Sequence, residues 1–180
     1  MKKFVLVIFV AFFGVSYTMA QSTPFIGYDR VAWGASVADV RNAYNLGDNI
    51  PLNIRVDDTN FANLYQENVS ESIFSRYFTF IKWQSNEYRL YRVEVIYNDG
   101  SDTNYRALYN ILEQRYGNRT DIEYGTGNFY TDNISVFGQF NPDIEVRLIK
   151  RTIGFGQTEN RVLYTWKKTR DDYNASRVQL

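Results

Sequence analysis

The sequence predicts an α+β fold: an antiparallel sheet with two helices, over about 37–45 and 102–116, packed on one face. Three observations carry this. Segments 73–83, 87–97, 144–153 and 161–169 are dense in aromatic and β-branched residues and alternate with period two, the mark of strands with one buried face. Only two stretches combine a capping residue with helical spacing of apolar side chains. Finally, 15 tyrosines and 13 phenylalanines against 3 prolines favour sheet over linker or disorder.

The clearest element pair is 93–117. Val93, Val95 and Tyr97 alternate with Glu94 and Ile96, and Asn98-Asp99-Gly100-Ser101 breaks the run. Ser101 or Asp102 can cap a helix whose Tyr105, Leu108, Tyr109, Leu112 and Tyr116 fall on one face. Gly117 suits the residue after its end, because only glycine reaches positive φ at little steric cost.

In chain order, Lys2 and Lys3, then an apolar core from Phe4 to Val15, then Thr18-Met19-Ala20 read as a secretory signal cleaved after Ala20. That core is shorter than the ~20 residues that span a bilayer. An exported chain, periplasmic or on the cell surface, is the expectation. Residues 21–170 form one domain, with 171–180 a polar tail. Arg30 to Trp33 fits a short strand. Ser36 with Asp39 approximates a capping box, so a helix starts at Val37 and places Val37, Val40 and Tyr44 on one face. Trp33 anchors that helix start in the core, and Gly34 permits the turn between them. From Leu46 to Asn63 the chain has no lasting period beyond a candidate strand at 52–56. After Gly117, candidate strands fall at 121–124, 128–131, 134–140, 144–153 and 161–169. Asn141-Pro142-Asp143 and Gly154-Phe155-Gly156-Gln157 supply turns, and Gly125-Thr126-Gly127 reads as hairpin punctuation. Each helix precedes a run of strands, which suggests two α-βββ repeats over about 25–97 and 98–169.

Function is mostly bounded by exclusion. The chain has no histidine and no cysteine, which removes disulfides, thiol nucleophiles, Ser-His-Asp triads and His- or Cys-ligated metals. No metal site and no cofactor are expected. Without the leader, 18 basic and 20 acidic residues leave a formal charge of −2, which gives no reason to expect nucleic acid or anionic membrane as partner. Glu67, Glu71, Glu87, Glu94 and Glu145 are available for carboxylate chemistry, but no spacing singles out a pair. The resource in excess is aromatic, and exposed tyrosines make good recognition surfaces because they bury large area at low entropy cost. Candidate binding residues are Tyr77, Tyr88, Tyr91, Tyr124, Phe129, Tyr130 and Tyr164.

The Trp33-Gly34-Ala35-Ser36 opening, the Tyr105 to Gly117 helix and the paired ending (IEVRLI, then RVLYTW) resemble many small exported bacterial proteins. The plan of a helix followed by antiparallel strands, repeated, is similar to that of the β-lactamase-inhibitor protein and the small outer-membrane assembly lipoprotein. That resemblance implies a non-enzymatic chain that binds a protein or an envelope component, without integral membrane insertion. It carries over no binding residue. The alternatives are a small outer-membrane β-barrel, a carboxylate hydrolase and a carrier for a small apolar ligand.

Overall fold

The structure is a computed structural model describing residues 27–83, 86–127, 129–138, 143–168 and 175. The leader at 1–20 and the tail apart from residue 175 lie outside the described residues. Described elements run β1 (Gly27–Tyr28), β2 (Val31–Ala32), α1 (Val37–Tyr44), β3 (Asn53–Ile54), β4 (Phe61–Glu67), β5 (Ile73–Lys82), β6 (Tyr88–Tyr97), α2 (Asp102–Tyr116), β7 (Asp121–Gly127), β8 (Tyr130–Phe137), β9 (Ile144–Ile153) and β10 (Gln157–Trp166). β1 and β2 form a small hairpin, and the other eight strands form one antiparallel sheet in the order β3-β4-β5-β6-β10-β9-β8-β7. The sheet is open, with β3 and β7 at its edges, so the barrel expectation is overturned.

The helices start where their caps place them. Asp39 N–H donates to the Ser36 hydroxyl at 3.2 Å and the Ser36 N–H donates back to the Asp39 carboxylate at 2.9 Å, a complete capping box. That bonding also holds the Asp39 carboxyl below its ordinary range. Ser101 caps α2 through the Asn104 N–H at 3.2 Å, and Gly117 ends it at φ 85°. Gly34 has φ 80°, and a side chain there would also press on the Trp166 ring. Trp33 is buried in the core.

Both helices cover one face. Val40 and Tyr44 of α1 and Leu108, Leu112 and Tyr116 of α2 join Leu64, Phe78, Val93, Val95, Val146, Leu148 and Val162 in one apolar cluster. A second, smaller cluster on the opposite face holds Ile134, Val136 and Ile149 with Leu163, all strand residues. Each helix is followed by four strands rather than three, and the last strand of each set, β6 and β10, pair at the centre. Across that seam the Arg161 guanidinium donates to Glu94 at 2.7 Å and also engages Glu159.

The sequence reading missed the two-residue β1 and, more consequentially, β4. Its inward residues are Ala62 and Leu64, while Phe61 and Tyr65 occupy its outward face, so both faces carry apolar side chains and the alternation is hidden. The other difference is at 121–137. Gly125 and Gly127 lie inside β7, and the two short strands expected at 128–131 and 134–140 are one strand, β8. Part of the turn at 141–143 lies outside the described residues.

Burial on the helix side shapes its tyrosines. Arg76 is 7% exposed, no carboxylate among the described residues pairs with it, and its guanidinium lies 4.8 Å from the centroid of Tyr44 and 5.6 Å from that of Tyr28. Aromatic faces take the place of a counter-ion. Burial pushes the Tyr97 and Tyr116 phenols up to about 12, and raises Tyr28, Tyr44 and Tyr164 as well.

Candidate functional site: an aromatic end on the second half

Exposed apolar residues are not spread evenly. Ile122, Tyr124, Phe129, Tyr130, Ile153 and Phe155 lie on the β7–β8 hairpin and the β9–β10 turn, whereas Ile54, Val56, Phe74 and Ile111 are scattered elsewhere. Exposed apolar surface is costly to keep in water, so the grouping of Phe129, Tyr130, Ile153 and Phe155 marks an interaction site, while Ile122 and Tyr124 face the helix-bearing side of β7.

The backbone brings two of these turns together. Tyr130 pairs with Ile153 in the β8–β9 register, and the Gly154 N–H donates to the Phe129 carbonyl at 3.0 Å. Phe129 is 80% exposed, and Phe155 is as exposed as an isolated side chain. Phe155 also sits at φ 69°, ψ 18°, a left-handed conformation that suits Gly or Asn far better than Phe. A residue held in that region costs on the order of 1 kcal/mol or more, and the ring gains nothing from burial in return.

Polar groups hold the end rigid. Arg151 donates to both oxygens of Asp132, at 2.8 and 2.7 Å, and its guanidinium lies 4.1 Å from the Tyr130 ring centroid. The Asp132 carboxylate is buried, and its hydrogen bonds hold Arg151 still more firmly protonated. The Tyr130 ring lies over Gly127, where a Cβ would stand 2.4 Å from it. Glycine at 127 ends β7 at the hairpin and also leaves room for the Tyr130 ring.

The seven candidate residues separate into three groups. Phe129 and Tyr130 lie at this end, whereas Tyr124, 77% exposed, pairs with Asn133 and lies on the helix-bearing face, opposite Tyr130. Tyr77 and Tyr91 lie on the sheet face opposite the helices. The Tyr77 ring centroid is 4.5 Å from that of Tyr65, and Tyr91, at 5% exposure, packs 5.8 Å from Phe61 beside a bulge in β6. Tyr88 and Tyr164 serve packing. Tyr88 donates to the Thr59 carbonyl at 2.7 Å, and Tyr164 is half-buried, its ring centroid 5.1 Å from that of Tyr28. Tyr91 is thus buried, and Tyr164 is half-buried against the helix-side core. The sequence reading missed Ile122, Ile153 and Phe155. An aromatic residue between two turn glycines, as in Gly154-Phe155-Gly156, was the available signal for the last, since so tight a turn offers no core to enter.

Other chemistry finds less support in the geometry. Among the described residues no group of three or more acids is placed to hold a metal. Glu94 and Glu145 each accept from an arginine, Glu87 pairs with Arg89, and Glu67 accepts from the Tyr65 hydroxyl. Two surface depressions of about 490 and 370 Å³ flank α1, both open to solvent. Comparisons with protein-family models, with curated proteins and with solved structures find no match for this chain.

Proposed function

We propose that this chain is a non-catalytic binding protein that works outside the cytoplasm and holds a protein partner through the aromatic end formed by Phe129, Tyr130, Ile153 and Phe155. The observation that carries the reading is Phe155. A phenylalanine that is fully solvated and held in a conformation unfavourable for it contributes nothing to the fold, and is explained by what it inserts into. Aromatic anchors of this kind supply most of the energy in protein interfaces when they enter a pocket. A protein fits better than a lipid surface, because Arg151 at this end is bonded to both oxygens of Asp132 and so offers no free cation to anionic headgroups. Export rests on the leader-like residues 1–20.

The test compares wild type with the double variant Phe129→Ser/Phe155→Ser as bait in envelope extracts of the source cell. Capture of one stoichiometric protein by wild type and its loss by the variant, at unchanged circular dichroism, is expected. Equal capture by both sinks the assignment to this end.

A further inference from the structure

The two edges of the sheet are unlike. β3 is two residues long, whereas β7 runs seven residues with no described strand on its outer side. An edge strand presents unpaired backbone N–H and C=O groups that another strand can complete, and proteins usually blunt such edges with proline, lysine or brevity. β3 is short. β7, Asp121-Ile122-Glu123-Tyr124-Gly125-Thr126-Gly127, has neither proline nor lysine, and its Tyr124 is 77% exposed.

We infer that the β7 edge is a self-association site, pairing antiparallel with β7 of a second copy about a two-fold axis at Tyr124. The charge pattern selects this partner and this register. Both acids, Asp121 and Glu123, lie in the first half of the strand, and the second half is Gly-Thr-Gly. Antiparallel pairing centred on Tyr124 overlaps all seven residues. It sets Asp121 against Gly127 and Glu123 against Gly125, so no like charges face each other, while Tyr124 meets Tyr124 and Ile122 meets Thr126. A register centred on Glu123 would oppose two carboxylates, and one centred on Gly125 would shorten the overlap. The two-fold axis stands perpendicular to the sheet, as in any antiparallel pair, so both copies turn their helix-bearing faces the same way and the sheet continues through sixteen strands. A seven-residue edge buries little area, so the dimer forms reversibly and grows with concentration. This inference is independent of the partner proposed for the aromatic end.

The chain lacks cysteine, so one introduced thiol reports one contact. Protein purified from cells expressing the full sequence is followed by sedimentation velocity across a hundredfold concentration range. Single variants Tyr124→Cys and Val56→Cys, the latter 99% exposed and far from β7 in the sheet order, are treated with a short bis-maleimide. Expected are a concentration-dependent dimer of wild type, covalent dimer from Tyr124→Cys at least tenfold above that from Val56→Cys, and loss of the dimer in Tyr124→Lys, which places two like charges at the axis. Wild type that stays monomeric throughout, equal cross-linking at both positions, or a dimer that survives Tyr124→Lys each overturns the inference.

Discussion

The two halves of the molecule use aromatic residues in opposite ways. In the first, α1 with β3 to β6, aromatic rings other than the exposed Phe74 are turned inward or against one another. Tyr44 stacks on Phe78 at 4.8 Å, Tyr65 on Tyr77 at 4.5 Å, and Phe61 on Tyr91 at 5.8 Å. In the second, α2 with β7 to β10, the β7–β8 hairpin and the β9–β10 turn hold Tyr124, Phe129 and Phe155 out in water. One plan of helix and four strands thus serves as framework on one side of the seam and presents a surface on the other. Packing requirements explain the first arrangement, and the partner binding proposed above accounts for the second.

The largest expected effect probes whether the halves are separable at all. One cluster joins both, so Phe78→Ala and Leu148→Ala should each cost about 3–5 kcal/mol and leave a single cooperative urea transition. Two transitions, with each variant moving only one, would divide the molecule into independent domains.

Alkaline pH should strike next. The neutral phenols of Tyr97 and Tyr116 are favoured in the fold, with pKa raised from the ordinary 10 to about 12. Their contribution is fully present below pH 10. It falls as pH rises from 10 through 12, by about 1.4 kcal/mol per pH unit for each phenol in that window. Urea midpoints measured between pH 8 and 11 should be flat to about pH 10 and then drop, and Tyr97→Phe should lessen the drop. A midpoint unchanged at pH 11 would contradict the burial of these phenols.

The caps compare the two helices directly. Ser36→Ala and Ser101→Ala should each cost about 1 kcal/mol. Ser36→Ala should cost the more, because it also removes the bond that the Ser36 hydroxyl donates to the Asp39 carboxylate. Chemical denaturation of the two variants checks the order.

The smallest effect has the opposite sign. Phe155→Asn should stabilise the protein by up to about 1 kcal/mol, since Asn accepts the left-handed conformation and no buried contact is lost. A destabilised Phe155→Asn would mean that the ring supports the fold, and the contrast between the halves would lose its main support.

Much of the framework was legible in the sequence because it is governed by local rules. The pair Ser36 and Asp39 placed α1, Ser101 and Gly117 bounded α2, and strict alternation placed β6 and β9. What stayed hidden depends on contacts between distant segments. β4 could not be read because Phe61 and Tyr65 on its outward face pack against Tyr91 and Tyr77 of other strands. The packing of the Tyr130 ring over Gly127 across the hairpin is likewise absent from the sequence pattern, which shows only a turn glycine. For the same reason seven aromatic candidates could be named but not ranked. Tyr124 and Tyr164 both sit in alternating segments, and only the sheet order puts one on an outer edge and the other beside the central seam.

The contrast between the halves is tested most directly by site-specific photo-cross-linking in the source cell. A photoreactive residue is placed at position 129 or 155 of the second half, or at position 56 of the first, which is equally solvated. Discrete adducts with one protein from positions 129 and 155, and none from position 56, is the result the account predicts. Adducts of equal yield from all three positions, or from position 56 alone, would contradict it.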